Sequence, residues 1–340
     1  MKIKTKVGVV GVGHLGKHHA RHFASLPGAE LVGVFDLSPE KAVEVAKANN
    51  TRAFESLEKL LDEVEAVSVV TPTEHHFSVA RFCIENRKHV FIEKPISKTV
   101  EEAESLIDLA NKNNVIIQVG HIERVNPALL PLKQFDMKAR YIEVQRLAPF
   151  TSRGTDVPVV LDLMIHDIDL VLAFVDSPVK KIQANGVSIM TNSVDIANAR
   201  IEFQNGAVAN ITSSRVAKDR VRKIKVFQQD LYVTIDFLIG LTEIYRVMDA
   251  DQTDPSSIMS APIESNGKHR QIFYEKPKIK KEDALKLELQ NFLEATQGSA
   301  KPIVDGKAGK NALEVAVQIH NKILDGINSV SYTHLRAHET

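Results

Sequence analysis

Residues 6–16 read Lys6-Val7-Gly8-Val9-Val10-Gly11-Val12-Gly13-His14-Leu15-Gly16. This stretch joins a Val-rich run, typical of a buried parallel strand, to a G-x-G-x-x-G turn that opens a helical pattern. In such a turn Gly11 permits the sharp bend, Gly13 lets the backbone approach a pyrophosphate, and Gly16 lets the helix pack closely on the strand. The stretch therefore predicts a dinucleotide-binding turn that includes His14 and Leu15. The alternative is a glycine turn without a ligand.

Strand and helix patterns alternate from this stretch to about Gly120. The strand-like runs lie at Glu30–Phe35, Ala66–Val70, His89–Ile92 and Val115–Val119. This β-α-β-α order is typical of a parallel sheet with helices on both faces. We therefore expect an α/β fold that begins with an NAD-binding Rossmann domain over residues 1–122, built on a doubly wound parallel sheet.

The pattern changes after this domain, where strand-like segments follow one another with one helix, Val160–Phe174, among them. Asn205-Gly206 separates two of these segments and is a strong hairpin signal. The polar residues 249–268 are typical of a loop. Two helical segments follow, at Asp283–Thr296 and Gly309–Asp325. We expect a C-terminal α+β domain over residues 123–329, built on a mostly antiparallel sheet.

The composition of the chain excludes several classes of protein. Lys and Arg number 43 and balance 43 Asp and Glu, without a basic stripe, so we expect no nucleic-acid partner. No apolar run is long enough to span a bilayer and no signal peptide is evident, so we expect a cytoplasmic protein without a membrane contact. The single cysteine, Cys83, excludes an internal disulfide and lies in a pattern typical of a packed thiol. Residues 330–340 resemble translated sequencing-adapter read-through and are set aside as a non-native tail.

Polar motifs end three of the predicted parallel strands. In an open α/β sheet, ligands bind outside the carboxyl ends of the strands. Asp36 ends the second strand, where an acid binds a ribose 2′-hydroxyl and repels a 2′-phosphate, so we predict NAD rather than NADP. Thr71-Pro72 ends the third strand, His75 opens the helix after it, and Glu93-Lys94-Pro95 ends the fourth. We assign these residues to the cofactor site, with Lys94 as an amine facing the ligand. The alternative for Lys94 is a surface lysine.

Asp162 and His166 lie four residues apart on the predicted helix, a spacing that places them on one face. Asp169 follows three residues later, near the same face. A carboxylate beside a histidine fixes the tautomer of the ring and stabilises its imidazolium form. Such a pair can take a proton from a hydroxyl while a hydride leaves the same carbon. The alternatives are a buried structural pair and a metal site. We predict no metal, because alcohol oxidation with NAD does not require one.

Polar and basic residues mark the candidate substrate site. His121 and Arg124 follow the last strand of the first domain, at the passage to the second, where small-molecule sites concentrate. Arg153 precedes the helix of Asp162, and its guanidinium suits a diphosphate. We assign these three residues and Asp169 to substrate binding. The alternative for Arg124 is a role in shaping the crossover, and the alternative for Arg153 is an ordinary surface arginine.

Four motifs together resemble the Gfo/Idh/MocA oxidoreductases in type and order. They are Gly11–Gly16, Thr71-Pro72, Glu93-Lys94-Pro95 and the pair Asp162 and His166. The resemblance implies an NAD-dependent dehydrogenase acting on CH–OH groups, with the catalytic lysine at Lys94 and a dyad at Asp162 and His166. It leaves open whether Lys94 or His166 is the base. It also implies that the second domain binds substrate and that its open sheet supports a homodimer or homotetramer.

Three further stretches resemble one branch of this family, the bacterial dehydrogenases that oxidise C3 of UDP-N-acetylglucosamine. They are residues 13–21, residues 120–124, and residues 153–156 leading into 161–167. The branch implies oxidation of the C3 hydroxyl to a ketone in nucleotide-sugar and lipid A precursor metabolism, coupled to a sugar aminotransferase. The alternatives are a dehydrogenase of another sugar, polyol or UDP-sugar acid, and an NAD-binding sensor without catalysis.

Overall fold

The computed structural model describes residues 4–151, 157–265 and 267–337. The chain divides into two compact units. The first unit comprises Met1–Val125 and Glu282–Glu314, and the second comprises Asn126–Lys281 and Val315–Thr340. Within the described ranges, no helix is both long enough and apolar enough to cross a membrane.

A six-stranded parallel sheet forms the centre of the first unit. Its strands are β1 (Thr5–Val10), β2 (Ala29–Phe35), β3 (Arg52–Ala53), β4 (Ala66–Val69), β5 (His89–Glu93) and β6 (Ile117–Gly120). They are ordered β3-β2-β1-β4-β5-β6, so the winding reverses between β1 and β4. This is the order of a doubly wound dinucleotide-binding sheet, and it confirms the predicted fold class. The crevice of such a sheet lies at the carboxyl ends of β1 and β4.

Five helices alternate with these strands. They are α1 (Gly16–Ser25), α2 (Pro39–Ala48), α3 (Leu57–Leu61), α4 (Thr73–Glu85) and α5 (Val100–Asn113). Local signals set their ends. The side chains of Thr99 and Glu102 each accept a hydrogen bond from the other's backbone N–H at the start of α5, and Asn114 ends it in the left-handed conformation. Cys83 is fully buried in α4, and burial raises the pKa of its thiol to about 12, as expected of a packed cysteine.

A nine-stranded sheet forms the centre of the second unit. Its strands are β7 (Tyr141–Leu147), β8 (Val179–Val187), β9 (Ile196–Phe203), β10 (Val208–Ser214), β11 (Val221–Gln228), β12 (Leu231–Asp236), β13 (Leu241–Asp249), β14 (Met259–Ser265) and β15 (Lys268–Glu275). They are ordered β14-β15-β13-β12-β11-β7-β10-β9-β8. The β7–β10 pair is parallel and the other pairs of described strands are antiparallel, which confirms the prediction of a mostly antiparallel sheet.

The loop predicted over residues 249–268 is wrong in part, because β14 pairs with β15 there. The polar composition of this segment does not indicate a strand, but β14 is the edge strand of the sheet. Pro262 is tolerated in β14 because the backbone on the outer side of an edge strand has no neighbouring strand to pair with. Two short 3₁₀ segments, Ile122–Val125 and Pro127–Gln134, lie between β6 and β7.

The helix predicted over Val160–Phe174 begins as a π turn, Val160–Met164, and continues as α6 (Ile165–Val175). This helix packs on β7 and β10 through apolar side chains. Ile165, Ile168 and Val171 are fully buried. The helix is therefore fixed to two interior strands of the second sheet.

The helix α7 (Ala284–Thr296) belongs to the first unit, although it lies late in the sequence. Phe292 is fully buried in the same core as Phe23 and Phe91, and the rings of Phe91 and Phe292 meet edge to face at 5.7 Å. The predicted second domain, residues 123–329, therefore differs from the observed unit, since 282–314 pack with the first. A helical period shows that one face of a helix is buried but not which core receives it.

The last helix, α8 (Gly306–Ala337), contains the division between the two units. It begins three residues before the predicted Gly309. At Gly309 an added Cβ would lie 2.5 Å from Val119 Cγ2 of β6, so glycine is needed for this close approach.

The substitution Phe292→Ala tests whether α7 completes the core of the first unit. It should lower the free energy of unfolding by about 3–5 kcal/mol, because it leaves a cavity beside Phe91. Urea unfolding followed by circular dichroism measures this change. Val43→Ala in α2, where the side chain is 58% exposed, is the matched control and should cost about 0.5 kcal/mol or less. Equal effects of the two substitutions would contradict the assignment of α7 to this core.

Candidate active site

The glycine turn after β1 has no room for a side chain at Gly11 or Gly16, but it has open space at Gly13. Gly11 has φ +83°, and an added Cβ would lie 2.7 Å from the Val70 carbonyl oxygen. A Cβ on Gly16 would lie 1.8 Å from the Gly11 carbonyl oxygen. A Cβ on Gly13, by contrast, would meet nothing within 4 Å. Packing therefore explains Gly11 and Gly16, whereas the bare backbone of Gly13 fits the close approach of a pyrophosphate.

The start of α1 suits the same anion. Leu15 occupies the N-cap position and supplies no side-chain hydrogen bond to the first turn. Lys17 N and His18 N donate to the carbonyls of Gly13 and Leu15, at 3.2 and 2.8 Å, and the positive end of the helix dipole at this N-terminus favours an anion. His14 and Leu15 are both exposed beside this turn. The predicted cofactor residues of the turn are thus together at one helix end.

Asp36 lies beside the glycine turn at the end of β2. Its Oδ2 accepts a hydrogen bond from Val12 N at 2.8 Å, and its Oδ1 accepts from Ser38 N at 2.9 Å. A carboxylate offers about four acceptor sites, so each oxygen retains capacity for a ribose hydroxyl. The backbone fixes the carboxylate next to the turn, which fits the predicted preference for NAD. Leu37, the next residue, is 85% exposed and brings no positive charge for a 2′-phosphate.

A buried histidine, His19, links α1 to the strand that carries Lys94. Its Nε2 lies 3.1 Å from Glu93 Oε1, and its Nδ1 lies 2.9 Å from Ser68 Oγ of β4. The His19 side chain is 1% exposed and that of Glu93 is 14% exposed. No role for His19 was predicted from the sequence. The burial of His19 could have been predicted from the helical period, because the buried face of α1 contains Gly16, His19, Ala20 and Phe23.

The Glu93 carboxylate is held as an anion beneath the Lys94 turn. Burial raises the pKa of the Glu93 carboxyl. The opposing effects are larger: His19 lowers this pKa through its hydrogen bond and charge, and Lys94 lowers it through its charge and backbone N–H. The net pKa lies below its ordinary value. Glu93 Oε2 accepts from Lys94 N at 3.3 Å, and Gly120 leaves room for the carboxyl, since a Cβ there would approach it to 3.0 Å. The Lys94–Pro95 peptide is cis.

His76 lies between the turn after β4 and the turn after β5. Its Nδ1 is 2.7 Å from the Pro95 carbonyl oxygen, and its Nε2 is 2.9 Å from that of Thr71. His76 is 1% exposed, whereas the predicted cofactor residue His75 is exposed, with its Nε2 3.6 Å from Glu74 Oε1. Burial lowers the pKa of His76, and the two carbonyl contacts and Glu93 oppose that shift without reversing it. The sequence did not distinguish the two adjacent histidines, since each fits the start of a helix.

The turn after β4 contains the two other predicted cofactor residues. Pro72 is the N-cap residue of α4, and the Thr71 hydroxyl is shielded from water with no hydrogen-bond partner among the described residues. Buried hydroxyls normally find a partner, so this oxygen is a polar group open to a ligand. Four predicted parts of the cofactor site therefore lie at the carboxyl ends of parallel strands. The glycine turn follows β1, Asp36 follows β2, Thr71-Pro72 follows β4, and Lys94 follows β5.

The predicted dyad lies on the helix of the second unit, where both side chains are half-buried. Asp162 falls inside the π turn and His166 in the first turn of α6. The prediction assumed α-helical geometry throughout, whereas Asp162 lies in a π turn, which bonds residue i to i+5 and contains more residues per turn. Such turns are frequent at functional sites. Asp169 and its neighbour Asp167 are each 1% exposed.

The remaining predicted substrate residues have different placements. His121 directly follows β6 and is 1% exposed, and Arg124 is half-buried in the 3₁₀ segment Ile122–Val125. Arg153 lies outside the described residues. Within residues 4–151, 157–265 and 267–337, no three His, Cys, Asp or Glu side chains are grouped so that they could hold a metal.

Residues 5–121 match the family described as "Oxidoreductase family, NAD-binding Rossmann fold", and residues 137–231 match the GFO/IDH/MocA C-terminal domain. The UDP-N-acetylglucosamine 3-dehydrogenase of Acidithiobacillus ferrooxidans is 39% identical over 318 residues, which cover 93% of this chain and 96% of that protein. A solved structure of that enzyme, GnnA, aligns with a TM-score of 0.84 over 94% of this chain and 98% of its own, at 38% identity. The scyllo-inositol 2-dehydrogenase (NAD(+)) of Bacillus subtilis is 26% identical over 347 residues, 96% of each protein.

The substitutions Gly13→Ala and Gly16→Ala separate binding from folding at the glycine turn. Gly13→Ala should leave the free energy of unfolding within about 1 kcal/mol of the wild type, since its methyl group meets no protein atom. It should raise the Kd for NAD about tenfold or more, because the methyl group occupies the approach of the pyrophosphate. Gly16→Ala should lower the melting temperature, because its methyl group overlaps the Gly11 carbonyl. Calorimetric titration and thermal unfolding measure the two effects. A folded Gly13→Ala variant that binds NAD as tightly as the wild type would contradict this assignment.

Proposed function

The chain belongs to the Gfo/Idh/MocA oxidoreductase family, and we propose that it oxidises the C3 hydroxyl of UDP-N-acetylglucosamine to a ketone with NAD. The proposed chemistry is supported by one observation above all: the glycine turn, Asp36 and Lys94 all lie at the carboxyl ends of the parallel strands. The choice of substrate is supported by the 39% identity with the enzyme from Acidithiobacillus ferrooxidans, which extends over nearly the whole chain.

NAD, when bound, supplies the acceptor for the hydride that leaves the substrate carbon. Gly13 and the first turn of α1 would hold its pyrophosphate, and Asp36 would hold the adenosine ribose. Thr71 offers the hydroxyl described above as a further contact. The exposed glycine backbone and the carboxylate fixed by Val12 and Ser38 support this assignment.

Three side chains would carry the chemistry of the substrate hydroxyl. His166 would accept the proton of the hydroxyl, and Asp162 would orient its ring and stabilise the imidazolium. Lys94 would hydrogen-bond the same oxygen and stabilise its developing negative charge. The proton thus goes to the protein and the hydride to the cofactor, which balances the oxidation. Lys94 and His166 could exchange the tasks of base and stabiliser.

The rigidity of the Lys94 turn supports its part in this mechanism. Glu93 accepts from the backbone N–H of Lys94 and is itself hydrogen-bonded to His19. His76 contacts the carbonyl of Pro95 on the other side of Lys94. A side chain that must meet a reacting atom gains from such support, because misplacement of about 1 Å can cost about 10²-fold in rate.

Four residues are proposed to bind the rest of the substrate. Arg124 and Arg153 would contact the diphosphate, for which a planar guanidinium is well suited. His121 and Asp169 would contact the sugar, and both are nearly inaccessible to solvent in the present structure. The 3-keto product would be consumed by a sugar aminotransferase, in nucleotide-sugar and lipid A precursor metabolism.

A second candidate function is oxidation of a polyol such as inositol. It is favoured by the 26% identity with the scyllo-inositol dehydrogenase from Bacillus subtilis, which also covers nearly the whole chain. The same residues would act on either hydroxyl, so the two candidates differ in the substrate contacts alone.

The outer face of the second sheet supports a homodimer or homotetramer. Its aromatic rings form a row across five strands, with ring centroids between 4.5 and 5.7 Å apart, and they are Tyr141, Phe227, Tyr232, Tyr245 and Tyr274. Beside the row lies a pocket of about 490 Å³ lined by amide side chains such as Asn185, Asn198 and Asn210. Aromatic rings are enriched at protein interfaces, so we propose that a second copy covers this face.

The activity is tested by incubating the protein with NAD and UDP-N-acetylglucosamine and following the absorbance of NADH. Lys94→Ala and His166→Ala should each lower kcat by about 10²–10⁴-fold, because each removes a group that acts on the hydroxyl. Lys98→Ala, an exposed lysine four residues after Lys94, is the control and should leave kcat unchanged. Absence of turnover by the folded wild type, even with an aminotransferase to remove the product, would reject the substrate. Faster turnover of inositol would favour the second candidate.

The oligomer is tested by light scattering. Tyr232→Glu places a charge in the aromatic row and should shift the mass in solution toward the monomer, since an interface core excludes charge. Ile239→Glu, on the turn between β12 and β13 where the side chain is 70% exposed, is the control and should keep the mass of the wild type. An unchanged mass for Tyr232→Glu would reject this interface.

A further inference from the structure

Buried arginines hold the chain on both sides of the π turn Val160–Met164. After the turn, Arg146 of β7 donates two hydrogen bonds to Asp167, from Nε to Oδ2 and from Nη2 to Oδ1, each 2.8 Å long. Both side chains are buried, at 5% and 1% exposure. A bidentate pair of this kind fixes direction as well as distance. It therefore sets the orientation of the helix one residue after His166.

Before the turn, Arg215 at the end of β10 donates from Nη2 to the carbonyl of Val157. Its Nε lies 3.8 Å from Oδ1 of Asp195, which is fully buried. Asp195 also accepts from the Thr191 hydroxyl at 2.7 Å and from three backbone N–H groups, those of Ile189, Met190 and Thr191. Val159 N donates to Val194 O at 3.2 Å within the same cluster. The chain that enters the π turn is thus attached to a rigid group of hydrogen bonds.

The two arginines lie at the carboxyl ends of neighbouring strands. β7 and β10 are parallel neighbours, with Arg146 opposite Ser213 and Arg215 two residues beyond it. Their contacts fall at Val157 and Asp167, so the π turn and His166 lie between two fixed points. A π turn departs from the regular helical hydrogen-bond ladder and persists where its surroundings hold it.

We propose that Arg146, Asp167 and Arg215 form a frame of positioning residues that sets the geometry of Asp162 and His166. The inference rests on the proposed function, because it takes those two side chains as the proton-accepting pair. The frame touches neither substrate nor cofactor in this proposal, and it acts by fixing the helix that carries the pair.

A merely structural role can be separated from a positioning role with the double variant Arg146→Met/Asp167→Leu. An apolar pair of similar volume often replaces a buried ion pair without loss of stability, so the melting temperature should stay close to that of the wild type. The direction set by the bidentate pair is lost, and kcat should fall about tenfold or more while the KM for NAD stays within about twofold. A stable double variant with kcat within about twofold of the wild type would overturn the frame.

Arg146→Lys decides the question if the double variant does not fold. Lysine keeps the charge but not the planar fork, so the variant should fold and its kcat should fall about tenfold, with an unchanged KM for NAD. Arg246→Lys is the matched control, because Arg246 is a partly buried arginine of the same unit that pairs with Glu275 at 3.2 Å on β15. It should keep the kcat of the wild type. An Arg146→Lys variant as active as Arg246→Lys would overturn the frame.

His166→Asn distinguishes failure of the frame from failure of the proposed function. If His166→Asn loses kcat while the Arg146 variants keep it, the frame alone is rejected. If His166→Asn keeps kcat, the proposed chemistry is rejected and the frame with it. Loss of kcat in His166→Asn and in both Arg146 variants supports the two together.

Discussion

The hydrogen bond between His19 and Glu93 is the constraint on which the first unit's site depends. The helix that carries His19 begins at the glycine turn, and Glu93 precedes Lys94, so this one contact fixes the dinucleotide turn relative to the lysine. Ser68 holds the other ring nitrogen, which places the histidine between β4 and β5. His76 joins the next pair of turns in the same way. The buried imidazoles of His19 and His76 therefore connect the glycine turn after β1 to the turns after β4 and β5.

The second unit uses the same principle with arginine in place of histidine. The helix that carries the proposed dyad departs from α geometry at the π turn, and buried charged groups contact the chain on each side of that turn. Buried charges are costly unless they are paired and hydrogen-bonded, so a cluster such as Asp195 with Arg215 fixes one arrangement of the chain. Burial raises the pKa of Asp195, but its hydrogen bonds to Thr191 and to the backbone hold the pKa well below the ordinary value. In both units, buried polar contacts therefore hold the backbone next to the side chains proposed to act in catalysis.

Local patterns predicted the alternation of strands and helices, the glycine turn and the motifs at the strand ends, because each depends on a few neighbouring residues. They did not predict the packing of α7 with the first unit, since the apolar face around Phe292 fits any hydrophobic core. They also missed the π turn, because four of the five residues in Val160–Met164 are apolar and no periodic spacing marks the extra residue. The buried contacts of His19 and His76 were not predicted for a related reason. Their partners, Glu93 and Pro95, lie 74 and 19 residues away, and only the folded sheet brings them together.

The proposed reaction transfers a hydride from C3 of UDP-N-acetylglucosamine to the cofactor held at the glycine turn. Substrate deuterated at C3 follows that hydride when the NADH formed is analysed by mass spectrometry. Each NADH should carry one deuterium. Unlabelled NADH formed from this substrate would show that the hydride comes from another carbon, and it would rule out oxidation at C3.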